Sequence, residues 1–232
     1  MPEHRDVYNY HAAEYDRLVM REDYQGNILR ALREIRPLDG VDVVEFGAGT
    51  GRLTLLLAPI VRSIVATDIS AHMLGVAADK LRQTAKRDWS LVVADNMRFP
   101  MRATVADISI TSWSFGHSTV WDVEAWRADI GQAIGEMCRV LRPGGTAIIL
   151  ETLGTGSEMP HPPSETLAAY YTWLENEHGF SRMWIRTDYR FASLEEADEL
   201  TRFFFGDEMA DRVMVENLII LPECTGIWWL TV

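Results

Sequence analysis

Val43-Val44-Glu45-Phe46-Gly47-Ala48-Gly49-Thr50-Gly51-Arg52 is the stretch on which the reading of this chain turns. Val41–Phe46 is a short apolar run ending in glycines, the pattern of a buried strand. Arg52–Ala58 continues as a helix that Pro59 stops. A strand that turns through glycines into a helix lets the backbone take positive φ and come close to a ligand. The free N–H groups at the helix start then favour ligand oxygens. Asp68 stands seventeen residues past Gly51, at the end of the next strand, Ser63–Thr67. A carboxylate placed there suits the two hydroxyls of a ribose, so an adenosine-containing cofactor is implied. The glycines run G-x-G-x-G, and Arg52 occupies the place where the dinucleotide fingerprint G-x-G-x-x-G needs its third glycine.

Around this core the chain beats between strand and helix. Ala71–Ala85 reads as a helix with Met73, Leu74, Ala77, Ala78 and Leu81 on one side, followed by strands at Trp89–Ala94 and Asp107–Thr111. A long helix is expected over Trp121–Leu141, ended by Arg142-Pro143-Gly144-Gly145, and then a strand over Thr146–Leu150. This alternation argues βαβ units and a mainly parallel sheet. Before it, Tyr8, Ala12, Tyr15 and Val19, then Ile28, Leu32 and Ile35, recur at helical spacing, so residues 1–40 read as a helical cap. Beyond it, a linker-like Gly154–Pro163 leads to a helix over Ser164–Glu177 and an alternating strand over Met183–Phe191. A helix opens with the capping box Ser193-Leu194-Glu195-Glu196, and a last strand covers Gly226–Val232. The reading is one domain over 1–232: cap 1–40, cofactor-binding core 41–151, a second substrate cap over 152–180, and C-terminal strands and helices over 181–232.

Four motifs in order carry a resemblance. Glu45 precedes the glycines by two places; Asp68-Ile69-Ser70 leads into Met73-Leu74; Ala94-Asp95-Asn96 follows the third strand; Leu141-Arg142-Pro143-Gly144-Gly145 precedes the fifth. Together they resemble the class I S-adenosylmethionine-dependent methyltransferases, with a small-molecule, type 11-like domain, over roughly residues 41–151. The resemblance implies an α/β fold, a doubly wound, mostly parallel seven-stranded sheet of Rossmann-like type with the helical cap at its N-terminus. It implies S-adenosylmethionine as cofactor. Gly47, Gly49 and Gly51 would line its methionine moiety and Glu45 would face its amino group. Asp68 would hold the ribose, Ile69 and Met73 would sandwich the adenine, and Asp95 with Asn96 would meet the adenine edge. Ser112 belongs to the same set, and Tyr15 of the cap would close over it, although Tyr15 reads equally as a core aromatic of its helix face.

After the fourth strand comes Ser112-Trp113-Ser114-Phe115-Gly116-His117-Ser118. In this fold that strand end opens on the transferred methyl. Trp113 and Phe115 would exclude water there, and His117 is the best-placed titratable group, the candidate general base. The stretch lacks the Asn/Asp-Pro-Pro-aromatic motif of many amino-group and nucleic-acid methyltransferases, which argues against base methylation. Glu151, closing the fifth strand, either faces the acceptor or is a solvated terminus.

Composition trims the alternatives. Lys plus Arg number 22 against 34 Asp plus Glu, a net charge of −12, which repels phosphate backbones and anionic lipid. Nucleic acid and membrane are therefore not expected as partners, and the partner expected is a small-molecule acceptor. Neither Cys138 nor Cys224 has ligand spacing, so no metal is expected. The charged start Met1-Pro2-Glu3-His4-Arg5-Asp6 lacks an apolar signal-peptide core, and the expected compartment is the cytoplasm. Two rival functions remain: a non-catalytic cofactor-binding protein of the same fold, and a nicotinamide-dependent oxidoreductase, which the glycine spacing opposes.

Overall fold

Successive residues of the central strands divide between two apolar layers, one on each face of a sheet. In β1 (Asp42–Phe46) Val44 and Phe46 join one layer and Val43 the other. In β5 (Leu141–Thr155) Ala147 and Ile149 divide from Ile148 and Leu150 in the same way, as Trp228 does from Ile227 in β9 (Glu223–Thr231). A strand covered on both faces must be apolar throughout, which is why the sequence shows unbroken runs here. This computed structural model describes residues 4–85 and 88–232; the expectation resting on Met1-Pro2-Glu3 lies outside them.

With β2 (Ser63–Asp68), β3 (Trp89–Val93), β4 (Ala106–Ser112) and β6 (Ser181–Arg186), these strands form one seven-stranded sheet in the order β3-β2-β1-β4-β5-β9-β6. The first five strands pair in parallel, and β9 runs antiparallel between β5 and β6. The sheet is thus doubly wound and mostly parallel, as expected. Its order reverses beside β1, because the chain goes out through β2 and β3 and returns to β4 on the other side. The carboxyl ends of β1 and β4 flank that switch point, where open α/β sheets bind ligands.

Helices α3 (Asn27–Ile35) and α4 (Arg52–Leu57) cover one face, through Ile28, Leu32, Leu53 and Leu57. On the other face lie α7 (Trp126–Val140) and α8 (Glu165–Asn176), through Trp126, Ile130, Tyr170 and Trp173. Helix α5 (Ala71–Leu81) is capped by Ser70, whose Oγ accepts from Met73 N at 3.3 Å. A third cluster was not foreseen. Leu18 of α2 (Ala12–Val19) packs with Leu200 of α9 (Leu194–Phe204), Val213 of α10 (Asp207–Glu216) and a small sheet of β7 (Tyr189–Arg190) with β8 (Ile220–Leu221). Arg17–Glu199 and Arg21–Glu196 ion pairs at 2.7 and 2.6 Å edge this cluster. The cap, completed by α1 (His4–Tyr10), therefore shares a core with the C-terminal helices.

Several expected boundaries are corrected by side-chain chemistry. The helix expected over Trp121–Leu141 is two, α6 (Ser118–Trp121) and α7, because Asp122 Oδ1 accepts from Ala125 N at 2.9 Å and starts the second. The strand expected over Met183–Phe191 breaks after Arg186, where Asp188 turns inward to accept from Glu223 N at 3.0 Å and from Arg186. The fifth strand is longer than Thr146–Leu150 at both ends, and its register on β4 shifts where Arg142–Gly145 bulges. Arg142 of that turn reaches Asp42 at 2.9 Å and Asp107 at 3.0 Å, tying β1, β4 and β5 together at their amino ends. Only half of the capping box forms: Ser193 Oγ accepts from Glu196 N, while Glu196 accepts from Ala192 N rather than Ser193 N. Within the 152–180 stretch, Tyr170, Tyr171, Trp173 and Leu174 of α8 are buried in the core.

Candidate cofactor and acceptor site

A cavity of about 600 Å³ opens at the switch point, between the carboxyl ends of β1, β2 and β4 and the N-terminal helices. That is the size of an ordinary small-molecule pocket. Its floor is the glycine loop. Gly47 has φ +66°, and a Cβ there would fall 2.1 Å from Ser114 Oγ. The loop thus needs glycine both for conformation and for contact with the strand-four loop. Gly49 N donates to Asp68 Oδ2 at 2.8 Å, and Ser70 N donates to Asp68 Oδ1 at 2.8 Å. The carboxylate locks the glycine loop onto the start of α5 and keeps further lone pairs to offer. Burial pushes its pKa up, against the pull of those N–H groups.

Of the expected site residues, the structure gathers Tyr15, Gly47, Gly49, Asp68, Ile69, Met73, Asp95, Asn96, Ser112 and His117 around this one cavity. Two fall elsewhere. Gly51, at φ +81°, meets α5 rather than the cavity: a Cβ there would lie 2.8 Å from Ala77 Cβ, so the glycine allows two helices to approach. Glu45 is fully buried beneath the loop, where Thr54 Oγ1 donates to its Oε2 at 2.6 Å. Burial drives its pKa to about 8. Ile69 stands 75% exposed at the rim, whereas Met73 is buried against Gly49. Asp95 Oδ1 accepts from Met97 N in a local turn at 2.9 Å. Glu151 does not face the cavity. It is buried behind it, accepting from Gly116 N at 2.8 Å, and burial raises its pKa to about 8.

Sequence reasoning missed Tyr8, Arg52 and Trp121 as cavity residues. Tyr8 had read as one member of an apolar helix face, and nothing in its spacing marks it. Its Oη lies 2.9 Å from His117 Nε2. Arg52 had counted only as a missing glycine. Its guanidinium lies 3.7 Å from the Trp113 ring centroid and pairs with the buried Glu22, which also accepts from Thr187 and Tyr189 hydroxyls. Trp113 has φ +47°, uncommon for a bulky residue and a mark of functional sites. One cation thus joins the cap, the cofactor loop and the strand-four loop.

The buried polar inventory bears on what the cavity can hold. Thr50 Oγ1 and Asn96 Oδ1, both on cavity-lining residues, are buried without a hydrogen-bond partner among the described residues. Such atoms cost free energy unless a ligand or water satisfies them. Together with the bare backbone at Gly47, they fit a cofactor with several donor groups lying along the loop. No group of three or more metal-ligating side chains occurs among the described residues.

Residues 44–149 match the sequence model of a family described as Methyltransferase domain. Over 146 residues the chain is 29% identical to a malonyl-[acyl-carrier protein] O-methyltransferase of Buchnera aphidicola subsp. Baizongia pistaciae, covering 63% of this chain and 52% of that protein. It is 32% identical over 116 residues to a demethylmenaquinone methyltransferase of Shouchella clausii, covering 49% and 46%. The chain thus spans about half the length of these curated relatives. A solved structure titled as a SAM-dependent methyltransferase from Aquifex aeolicus superposes with a TM-score of 0.57 at 15% identity, over 88% of each chain. Over residues 44–149, a little under half of the chain, the sequence is thus similar to the methyltransferase domain, and the sheet has the fold of a structure titled as a SAM-dependent methyltransferase; the motifs quoted above resemble the class I S-adenosylmethionine-dependent methyltransferases. S-adenosylmethionine is the cofactor of that class.

Proposed function

We propose that this protein transfers a methyl group from S-adenosylmethionine to a small-molecule acceptor. The observation that carries the reading is the glycine loop hydrogen-bonded to Asp68 at the switch point of the sheet, inside a cavity with unpartnered buried polar atoms. The Gly47 and Gly49 backbone would receive the methionine part, and Asp68 the ribose hydroxyls. Met73 and Ile69 would flank the adenine, with Asp95, Asn96 and Ser112 at its edge. Tyr15, a lining residue from the cap, would close over the cofactor.

When bound, the cofactor supplies a methyl group already activated on a sulfonium sulfur. The protein's work is then to orient the acceptor and exclude water. Trp113, Phe115 and Trp121 give the outer cavity apolar walls. His117 is the group there that takes a proton if the acceptor must lose one. The small-molecule acceptor is supported by charge: the chain carries −12, and the sole Arg or Lys among the described lining residues, Arg52, is paired with Glu22. A phosphate backbone finds no counter-charge there.

Thermal denaturation with S-adenosylhomocysteine, S-adenosylmethionine and NADH tests this. Either adenosyl ligand at a hundredfold its Kd should stabilise the protein by about 2.7 kcal/mol. Stabilisation by NADH alone would overturn the reading.

A further inference from the structure

Among the described residues the cavity has one histidine, and that histidine is bonded to the N-terminal helix. Ring contacts hold both partners of the Tyr8–His117 pair. Tyr8 meets Tyr15 edge-on at 5.5 Å and Trp121 at 6.4 Å between centroids, and His117 stacks on Trp121 at 5.1 Å and 13°. Ser70 Oγ, which caps α5 beside the cofactor loop, donates to the Tyr8 carbonyl at 3.2 Å. The position of Tyr8 is thus set from three sides.

The chemistry of the pair matters more than its packing. A phenol hydroxyl can donate or accept, a neutral imidazole nitrogen does one or the other, and an imidazolium only donates. Tyr8 can therefore stay bonded to Nε2 before and after His117 gains a proton, accepting from Nε2–H in both states and leaving Nδ1 as the basic nitrogen. Burial holds the Tyr8 pKa well above its ordinary value, with Tyr15, Asp68 and Glu151 adding to the effect, so the phenol keeps its own proton.

Building on the methyltransferase reading, we propose that Tyr8 is the positioning residue for His117, and that the pair receives the proton of an acceptor carrying an O–H or N–H group. In the transfer that O–H or N–H bond breaks and the acceptor's lone pair forms the new bond to the methyl carbon. The carbon–sulfur bond breaks with its electron pair left on sulfur. The proton ends on His117 Nδ1, the ring nitrogen that Tyr8 does not hold, while Nε2–H donates to Tyr8 Oη before and after the transfer. The walls agree with an acceptor that is neutral or cationic. Asp68, Asp95, Asp122 and Asp129 line the cavity, and an acceptor that reacts as a free anion would meet only the already paired Arg52. The site is complete only with the N-terminal helix closed on it.

Two measurements on the full chain decide this. The first is nitrogen-15 NMR of the histidine rings with S-adenosylhomocysteine added, with His117→Gln to assign the signal. Tyr8→Phe, which keeps the ring contacts and removes only the hydroxyl, should move the His117 Nε2 resonance. It should also lower the His117 titration midpoint, because a bond to the charged ring is the stronger one. Unchanged resonances and midpoint would overturn the positioning role. The second is transfer of labelled methyl into a metabolite extract. The label should appear in an O-methyl ether or N-methyl product, at a rate about tenfold lower with Tyr8→Phe and at least about a hundredfold lower with His117→Gln. S-adenosylhomocysteine affinity should be unchanged in both. A methyl ester, thioether or C-methyl product, or equal rates, would overturn the proposal. If the wild type neither binds S-adenosylhomocysteine nor transfers label, the methyltransferase reading fails, while the ring-nitrogen signals still judge Tyr8.

Discussion

Glu151 sits 3% exposed within β5, and its carboxyl takes the N–H of Gly116 in the turn that carries His117. Burial raises its pKa to about 8, above the value of about 4.3 that the unfolded chain would show. A carboxyl of this kind holds its proton in the native state at pH values where the unfolded chain has released it. Between those two values the native state binds more protons, so stability falls as pH rises. Each pH unit inside the window is worth up to about 1.4 kcal/mol for one group. From pH 6 to pH 8 Glu151 should therefore cost the fold about 2–3 kcal/mol. Glutamine has the same shape, keeps an oxygen for Gly116 N and cannot ionise. Glu151→Gln should match the wild type near pH 5 and exceed it progressively toward pH 8. Urea denaturation of both proteins at several pH values, without cofactor, measures the difference directly. Comparing the two isolates Glu151 from Glu45 and Glu223, whose pKa values burial also raises to about 8. Parallel stability curves across that range would refute the reasoning, because they would mean that Glu151 titrates alike in both states.

Gly47→Ala should destabilise by about 1–3 kcal/mol, from its positive φ and the contact with Ser114. The double variant with Ser114→Gly should recover the contact share in thermal denaturation, and a fully stable Gly47→Ala would contradict the geometry. Asp68→Asn keeps one oxygen for the backbone N–H groups but loses the charge. S-adenosylhomocysteine should bind it about 1–3 kcal/mol more weakly by calorimetry, and unchanged affinity would remove Asp68 from the ribose. Alanine is the poorer test, since Asp68 also holds Gly49 and Ser70 in place. Arg52→Met leaves Glu22 buried without its cation and should cost about 3–5 kcal/mol. Adding Glu22→Gln should restore much of that loss, and a double variant no more stable than Arg52→Met alone would show that the pair is not the cause.

The sequence by itself determined whatever local rules govern. Glycines that need positive φ, apolar runs of strand length and the acidic residue closing β2 follow from backbone sterics and from burial on both sheet faces. They were enough to predict the sheet and its parallel sense, while most of the ten cavity residues came from the resemblance of the motifs to a known family. Tertiary structure decided what depends on partners far along the chain. Gly51 and Gly47 share a motif, yet one admits Ala77 of α5 and the other Ser114 of the strand-four loop, 67 residues away. Glu151 could not be told from a solvated terminus, because its burial depends on the turn at Gly116, 35 residues distant. The Tyr8–His117 bond spans 109 residues and Arg52–Glu22 spans 30. Periodicity marks which face of an element is buried. It does not say which side chain will stand opposite, because that is fixed only when cap, sheet and loops close on one another.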